Sequence, residues 1–421
     1  MYTDLASAQL AISPTPTAHF GAGSVARLGS ILTGINPAAG VGQVTGTGPP
    51  AAVIVTDAGL AATPVIAAVR AAAEEAGLSV TVFSGVHANP TTDDVAAGAA
   101  FVGVVPEARQ TSTVPEARHA STDTGPGRVT LIAVGGGSSM DAAKGIAIAA
   151  VNPERGRDLD YRGEFATRAL PIIAIPTTAG TGAETNAFGV VTDPETKTKF
   201  YVGHASTMPA AAVLDPTLTV GLPSRSTAAT GLDALTHAIE SYLSVRANPW
   251  ADGIALQVIR MISAHLPASC ADGTNLEARS QLLLAAHMAG IGMATTGLGL
   301  VHAIGHAIGG RYDLPHGVTL AMVLPQVLRF SEPVRRDRLA AIAFALDAGD
   351  RGKDSAWNAT AAIAAIESLI AEVGLDVSPA DYGITEPDFE QIAADALADE
   401  VINNAPRQPT AAQIGAILAA G

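Results

Sequence analysis

Short apolar strands alternate with helical segments in the first half of the chain, and no other feature constrains the fold as strongly. Strand patterns occur in AAVIVTD (51–57), SVTVFSGV (79–86), RVTLIAVGGGSS (128–139) and ALPIIAIPTT (169–178). Segments with helical spacing lie between them: TPVIAAVRAAAEEAGL (63–78), TTDDVAAGAAFVG (91–103) and MDAAKGIAIAAV (140–151). In the second of these, Thr91 or Thr92 is the expected N-cap. This alternation predicts a mostly parallel sheet with helices on both faces.

The predicted secondary structure changes near LPSRS (222–226), from alternating strands and helices to helices alone. From Ser224 onward the segments have helical spacing, and no convincing strand pattern returns. A chain of 421 residues also exceeds the usual size of one hydrophobic core. We therefore expect an α/β domain over residues 1–222 and an all-helical domain over residues 223–421, whose first helix starts at Pro223 and Ser224.

Composition and charge argue against several classes of protein. The formal net charge of −15 disfavours nucleic acid and anionic membrane surfaces as partners. The one cysteine, Cys270, excludes an internal disulfide framework and indicates the reducing cytoplasm. The N-terminal MYTDLASAQLAISPTP carries Asp4 and two prolines, so we expect no signal peptide.

The longest uncharged run of the chain, Ser280–Gly310, is long enough to span a membrane. It contains seven glycines, however, so we predict a pair of buried helices in a large domain instead. Buried helices have no need of histidine, yet His302 and His306 lie in this run and His316 follows it.

Two pairs of residues with helical spacing, one in this run and one in the motif DALTH (233–237), suggest a metal site. Asp233 and His237, in DALTH, are four residues apart, as are His302 and His306, so each pair shares a helix face. A carboxylate and several imidazoles in an apolar setting suit a divalent transition metal. An isolated Asp–His pair is more often a plain helix-surface contact, and spacing alone does not distinguish His302 from His306.

Two turns at strand ends are candidate ligand sites. In VGGGSSMDAAK (134–144) three glycines join a strand to a helix, so backbone N–H groups can face a pyrophosphate; a tight turn without a ligand is the alternative. IPTTAGTGAE (175–184) offers hydroxyls at the end of another strand. Asp57 ends the first strand pattern, where a carboxylate can accept hydrogen bonds from ribose hydroxyls.

Taken together, these motifs resemble the iron-containing (group III) alcohol dehydrogenases, and among them the lactaldehyde reductase type. The resemblance spans residues 54 to 317 and is carried by IVTD, NPTTDDV, GGGSSMDAAK, IPTTAGTGAET, DALTHAIESYLS and GLGLVHAIGHAIGGRYDLPHG. It implies a dinucleotide-binding α/β domain followed by an all-helical metal-binding domain, the fold shared with dehydroquinate synthase.

The resemblance also implies roles for individual residues. Four match the family's metal ligands: Asp233, His237, His302 and His316. His306 matches a catalytic histidine near the nicotinamide. The matching cofactor-binding positions are Asp57, Asn89, Gly136, Gly137, Ser138, Asp141, Thr177, Thr178, Thr181 and Lys199. Asp57 stands where the family excludes the extra phosphate of NADP, which favours NAD.

The implied activity is that of a metal-dependent alcohol dehydrogenase or aldehyde reductase. It transfers a hydride between NAD(H) and a small alcohol or carbonyl substrate, with Fe(II), or alternatively Zn(II), as the metal. We expect a cytoplasmic homodimer or higher homo-oligomer. The rivals are a metal-dependent lyase resembling dehydroquinate synthase and a non-catalytic metal- or nucleotide-binding protein.

Three features stand apart from these motifs. The near-copies VPEARQTST and VPEARHAST (105–122) are interpreted as a surface insertion, and GVGQVTG (40–46) as a plain loop. Phe188 is expected either in the wall of an apolar substrate pocket or in the ordinary core.

Overall fold

The computed structural model describes residues 15–34, 50–104, 129–155, 157–196 and 198–421. The first fourteen residues, the GVGQVTG loop and the tandem near-copies lie outside these ranges. The described chain forms two compact units. One, called the α/β unit here, comprises Thr15–Thr177 and Ala183–Thr219, and the other, the helical unit, comprises Thr178–Gly182 and Val220–Gly421.

The α/β unit contains eight strands among its described residues. They are β1 (Thr17–Phe20), β2 (Ala51–Asp57), β3 (Ser79–Val86), β4 (Val129–Gly135), β5 (Ile172–Pro176), β6 (Phe188–Asp193), β7 (Thr198–Gly203) and β8 (Ala211–Leu214). The helices are α1 (Leu28–Gly34), α2 (Ala58–Ala61), α3 (Pro64–Glu75), α4 (Thr92–Val104) and α5 (Gly137–Ala149). The strands predicted in the four apolar runs are confirmed, and Thr91 is the N-cap of α4, since its hydroxyl accepts from the amide of Asp94.

Six strands form one parallel sheet in the order β1-β8-β5-β4-β2-β3. The mostly parallel sheet predicted from the sequence is thereby confirmed. Strands β6 and β7 form a separate antiparallel hairpin, which the sequence patterns did not predict. The short β1 and β8, which pair at one end of the sheet, were not predicted either.

Alternate residues of the central strands are buried on opposite faces of the sheet. Val53 and Leu131 belong to a core with residues of α4 and α5, whereas Ile54 and Ile132 belong to a core with residues of α1 and α3. A sheet buried on both faces reads as a continuous apolar run, which is why these strands were visible in the sequence.

The helical unit begins with α6 at Ser224, directly after Pro223, as the sequence predicted. Its helices are α6 (Ser224–Leu243), α7 (Pro249–Ala271), α8 (Leu276–Thr296), α9 (Leu300–Tyr312), α10 (His316–Ala345), α11 (Ser355–Glu372), α12 (Glu386–Ala398) and α13 (Ala411–Ala419). Its described residues contain no strand. Helix α10 is interrupted at Arg335, whose φ of −134° is not helical.

The uncharged run forms α8 and α9, and most side chains of α9 are buried within this unit. By length and apolar composition, α7 could cross a membrane, as could α8 and α9 together if the 106° bend between them is ignored. Core helices of soluble proteins meet the same criteria, so this finding among the described residues is weak evidence for a membrane span.

Candidate metal centre and cofactor-binding turns

Three polar residues project from one face of α6 in the helical unit. Asp233, His237 and Glu240 are four and three residues apart, the spacing that places side chains on one side of a helix. All three are buried, Asp233 to 2% exposure. Buried polar groups require partners, so the neighbouring helices must supply them.

Imidazole nitrogens from three helices converge on one carboxylate oxygen. The Nε2 atoms of His237 on α6, His302 on α9 and His316 at the start of α10 lie 3.1, 3.6 and 3.6 Å from Oδ1 of Asp233. The structure therefore brings together all four residues that the sequence resemblance implied as ligands. His302 is fully buried, whereas the side chain of His316 is 37% exposed, so the cluster is accessible from the His316 side.

Three atoms of this cluster are buried without a hydrogen-bond partner in the described chain: Oδ1 of Asp233, Nδ1 of His237 and Nε2 of His302. Leaving a buried acceptor unpaired costs about 1–3 kcal/mol, and an ion bound to Oδ1 of Asp233 and Nε2 of His302 would remove that cost. Asp233, His237 and His302 offer ligand atoms within 4.8 Å of one another. One carboxylate with imidazoles is a donor set that suits Fe(II) and Zn(II), and these residues fit such an ion.

Electrostatics favour a cation at the same place. Burial lowers the pKa of His237 to about 4, and burial together with the neighbouring imidazoles lowers that of His316 well below its ordinary value. Burial alone would raise the pKa of Asp233, but the surrounding histidines hold it below its usual range. Two neutral imidazoles beside an ionised carboxylate are the protonation states in which these groups bind metals.

His302 behaves differently from the other two imidazoles. Burial alone would lower its pKa, but the carboxylates of Glu240 and Asp233 raise it to about 9. Nδ1 of His302 lies 2.6 Å from Oε2 of Glu240. A histidine held in this way must give up its Nε2 proton when a metal binds.

His306, one turn after His302 on α9, has its own carboxylate partner. Its Nδ1 lies 2.7 Å from Oδ2 of Asp399, which follows α12. Burial alone would raise the pKa of Asp399, but the hydrogen bond and charge of His306 lower it. The ring of His306 stacks on that of His316, with centroids 5.3 Å apart, so it borders the accessible side of the cluster.

Sequence reasoning missed both Glu240 and Asp399. Glu240 gave a signal, because it continues the Asp233 and His237 spacing by one more turn. Asp399 gave none, since it lies 93 residues from His306 along the chain.

The glycine turn of the α/β unit lies between β4 and α5. Gly135 has a φ of +147°, and a Cβ added there would lie 2.4 Å from Oγ of Ser139, so only glycine fits. Gly136 is the N-cap of α5, and Gly137 and Ser138 form its first turn. The amide of Thr177 donates to the carbonyl of Gly135, which joins the ends of β5 and β4. A glycine N-cap without a side chain suits the approach of a phosphate to a helix N-terminus.

Three other predicted cofactor residues lie in the same unit, in strands or in the loop after β3. Oδ1 of Asp57, the last residue of β2, accepts a hydrogen bond from the amide of Leu60 and caps α2. Asn89, with a φ of +53°, accepts a hydrogen bond from Nζ of Lys199 on β7 at 3.2 Å. In the structure, Asp57 therefore acts as the N-cap of α2, and Asn89 is hydrogen-bonded to Lys199.

Asp141 and Lys144, on α5, hold the β6–β7 hairpin. Asp141 accepts a hydrogen bond from the amide of Val190, and loss of solvent raises its pKa to about 6. Burial lowers the pKa of Lys144 to about 8, and its ammonium donates to the carbonyl of Phe188 on β6, to the carbonyl of Ala183 and to Oδ1 of Asn186. Phe188 on this hairpin is 39% exposed, which excludes the ordinary core, one of its two expected positions.

Thr178 and Thr181 belong to the short segment Thr178–Gly182, which packs with the helical unit. A Cβ added at Gly182 would lie 2.7 Å from Cα of Gly290 on α8, and one at Gly180 would lie 2.7 Å from Cβ of Thr230 on α6. The glycines allow this close approach of backbone to helix.

Comparison with known proteins gives a consistent result over the whole described chain. The profile of the family described as "Iron-containing alcohol dehydrogenase" matches residues 15–216, and that of "Fe-containing alcohol dehydrogenase family, C-terminal" matches residues 227–421. An NAD-dependent methanol dehydrogenase of Bacillus methanolicus is 35% identical over 405 residues, which cover 96% of this chain and 97% of that protein. A 1,3-propanediol dehydrogenase of Klebsiella pneumoniae is 38% identical over 346 residues, covering 82% and 84%.

Among solved structures, the crystal structure of a 1,3-propanediol oxidoreductase superposes with a TM-score of 0.84 at 32% sequence identity. The match covers 98% of this chain and 100% of that one. Sequence and fold comparisons therefore agree with the family resemblance read from the motifs, and this chain belongs to the iron-containing alcohol dehydrogenase family.

Proposed function

We propose that this member of an NAD-dependent alcohol dehydrogenase family binds one divalent metal ion through Asp233, His237, His302 and His316. The observation that carries the proposal is the convergence of three imidazole Nε2 atoms on the unpartnered, buried Oδ1 of Asp233. We expect Fe(II), and the same donors also suit Zn(II). When bound, the ion supplies Lewis-acid polarisation of the substrate oxygen, and NAD(H) supplies the hydride carrier.

His306 is proposed to move the proton that accompanies hydride transfer. Asp399 accepts from Nδ1 of His306, which orients the ring and makes Nε2 the atom that gives or takes the proton. The ring of His316 stacks on one face of the His306 imidazole and restricts its rotation. His306 is 22% exposed, so solvent can exchange this proton between turnovers.

The cofactor is proposed to bind at the glycine turn and through the other residues that the family resemblance implied. Amides at the start of α5, beginning at Gly137 and Ser138, would bind the pyrophosphate. The carboxylate of Asp57 would accept from ribose hydroxyls and repel a 2′-phosphate, which favours NAD over NADP. Asn89, Asp141, Thr177, Thr178, Thr181 and Lys199 complete the proposed set, with Gly136 at the N-cap.

Small primary alcohols and diols are the proposed substrates, because the relatives above are named for methanol and 1,3-propanediol. We also propose a cytoplasmic location, supported by the single cysteine, and a homo-oligomeric assembly, which light scattering on the purified protein would test.

Metal analysis of matched variants tests the proposed centre. Wild-type protein purified without added metal should contain about one equivalent of Fe or Zn and should form NADH from alcohols of two to eight carbons. His302→Ala should lose both metal and turnover, whereas His265→Ala, on α7, should keep both. Full metal occupancy in His302→Ala would refute the ligand assignment.

A further inference from the structure

Glu240 links two of the helices that form the metal centre. It is buried on α6, at 7% exposure, one turn beyond His237. Its carboxylate accepts three hydrogen bonds from the start of α9: from the amide of Gly299 at 3.0 Å, the amide of Val301 at 2.6 Å and Nδ1 of His302 at 2.6 Å. A buried carboxylate that accepts from three donors is satisfied without any solvent contact.

The contact with His302 selects which ring nitrogen faces Asp233. An ionised carboxylate only accepts, so it holds a proton on Nδ1 of His302. With that proton in place, the lone pair available to a metal is on Nε2, the atom 3.6 Å from Oδ1 of Asp233. His237 has no such support, since its Nδ1 is buried without a hydrogen-bond partner in the part of the chain that the structure describes.

The two backbone contacts fix the helix that carries His302. The N-cap of α9 is Gly299, which has no side chain with which to cap its own helix. The carboxylate of Glu240, on α6, caps the N-terminus of α9 instead, and its negative charge lies at the positive end of the α9 dipole. A Cβ added at Gly299 would lie 3.0 Å from Oε1 of Glu240, so glycine leaves room for the carboxylate.

We propose that Glu240 is a positioning residue for the metal centre, acting through His302. It sets both the tautomer of the His302 ring and the placement of the helix that carries it. The inference rests on the proposed metal function, because it assigns Glu240 a role toward the ion rather than in stability alone.

A double-mutant cycle in metal affinity tests this role with Zn(II) as the probe. The amide of Glu240→Gln has one oxygen and an NH₂ group that only donates, so it cannot accept from Nδ1 of His302 and from both α9 amides. The dissociation constant for Zn(II), measured by chelator competition, should rise about 10- to 100-fold. In a His302→Ala background, in which the three remaining ligands bind added Zn(II) only weakly, the same substitution should change the dissociation constant, measured by direct titration, by less than about twofold, because Glu240 acts through His302.

A helix-cap control separates positioning from general destabilisation. Asp354→Ala removes the carboxylate that caps α11, should cost about 1 kcal/mol of stability and should leave Zn(II) affinity unchanged. If Glu240→Gln fails to fold, ¹H–¹⁵N spectra of the wild-type protein test the proposal. With Zn(II) bound, they should show an exchange-protected ring N–H at Nδ1 of His302. Absence of that signal would overturn the proposal.

Two other results would also overturn it: unchanged Zn(II) affinity in Glu240→Gln, or an equal loss in the wild-type and His302→Ala backgrounds. Failure of the wild-type protein to bind any divalent metal would instead refute the proposed metal centre itself.

Discussion

A single methyl group at Gly317 should disturb the metal centre without touching any ligand. Gly317 is the second residue of α10, directly after His316. A Cβ added there would lie 1.9 Å from the carbonyl oxygen of Ala229 and 2.5 Å from its carbonyl carbon, both in the backbone of α6. Backbone atoms cannot rotate away, so Gly317→Ala must push the two helices apart by about 1 Å or more.

The expected magnitude follows from that displacement. Overpacking of this kind costs about 1–3 kcal/mol of unfolding free energy, which outweighs the helix-propensity gain of about 1 kcal/mol for alanine. His316 moves with its neighbour, whereas metal–ligand distances tolerate shifts of only about 0.2 Å. Metal affinity should therefore fall by about 100-fold or more, at the upper end of what loss of a supporting contact costs.

Denaturant unfolding of the apoprotein and chelator competition measure the two effects. Gly253→Ala, on α7, is the matched control, since a Cβ there meets nothing within 4 Å. The control should keep its metal affinity and gain up to about 1 kcal/mol of stability. Wild-type stability and affinity in Gly317→Ala would show that the approach of α10 to α6 does not position His316.

Three further predictions concern other residues. His306→Ala should keep its metal and lose turnover by about 100- to 10,000-fold, as for a lost general acid–base group; metal loss equal to that of His302→Ala would show it to be a ligand. Asp57→Gly should narrow the preference for NAD over NADP in steady-state kinetics, and equal use of both cofactors by the wild-type enzyme would contradict the assigned role. Lys144→Met should lower the unfolding free energy by at least about 2 kcal/mol, because the carbonyl of Ala183 loses a buried donor, whereas exposed Lys353→Met should have little effect.

The parts of the fold that sequence patterns predicted are those with strong local signals. The central strands are buried on both faces and so appear as long apolar runs, and the change to helices at Ser224 was equally plain. The β6–β7 hairpin was missed because its strands are half-exposed and form no continuous apolar run, and tertiary contacts from Asp141 and Lys144 hold it in place.

In the candidate site, too, the features that depend on tertiary contacts could not be predicted from the sequence. Helical spacing identified Asp233 with His237 and His302 with His306, but it could not say which histidine faces Asp233. That choice depends on the carboxylates that hold the rings, Glu240 for His302 and Asp399 for His306. A glutamate in a helix is usually a surface residue, so its burial is evident only when α6 and α9 are packed together.

Titration of the apoprotein with metal shows whether turnover depends on an ion held by the Asp233 cluster. Protein stripped with a chelator is given increasing amounts of Fe(II) under anaerobic conditions, and NADH formation from a small primary alcohol is measured at each step. We expect no turnover without metal and a linear rise in turnover that ends at one equivalent of Fe(II) per chain, a rise that His302→Ala lacks. Full turnover by the stripped wild-type enzyme, or an equal response in His302→Ala, would contradict this expectation.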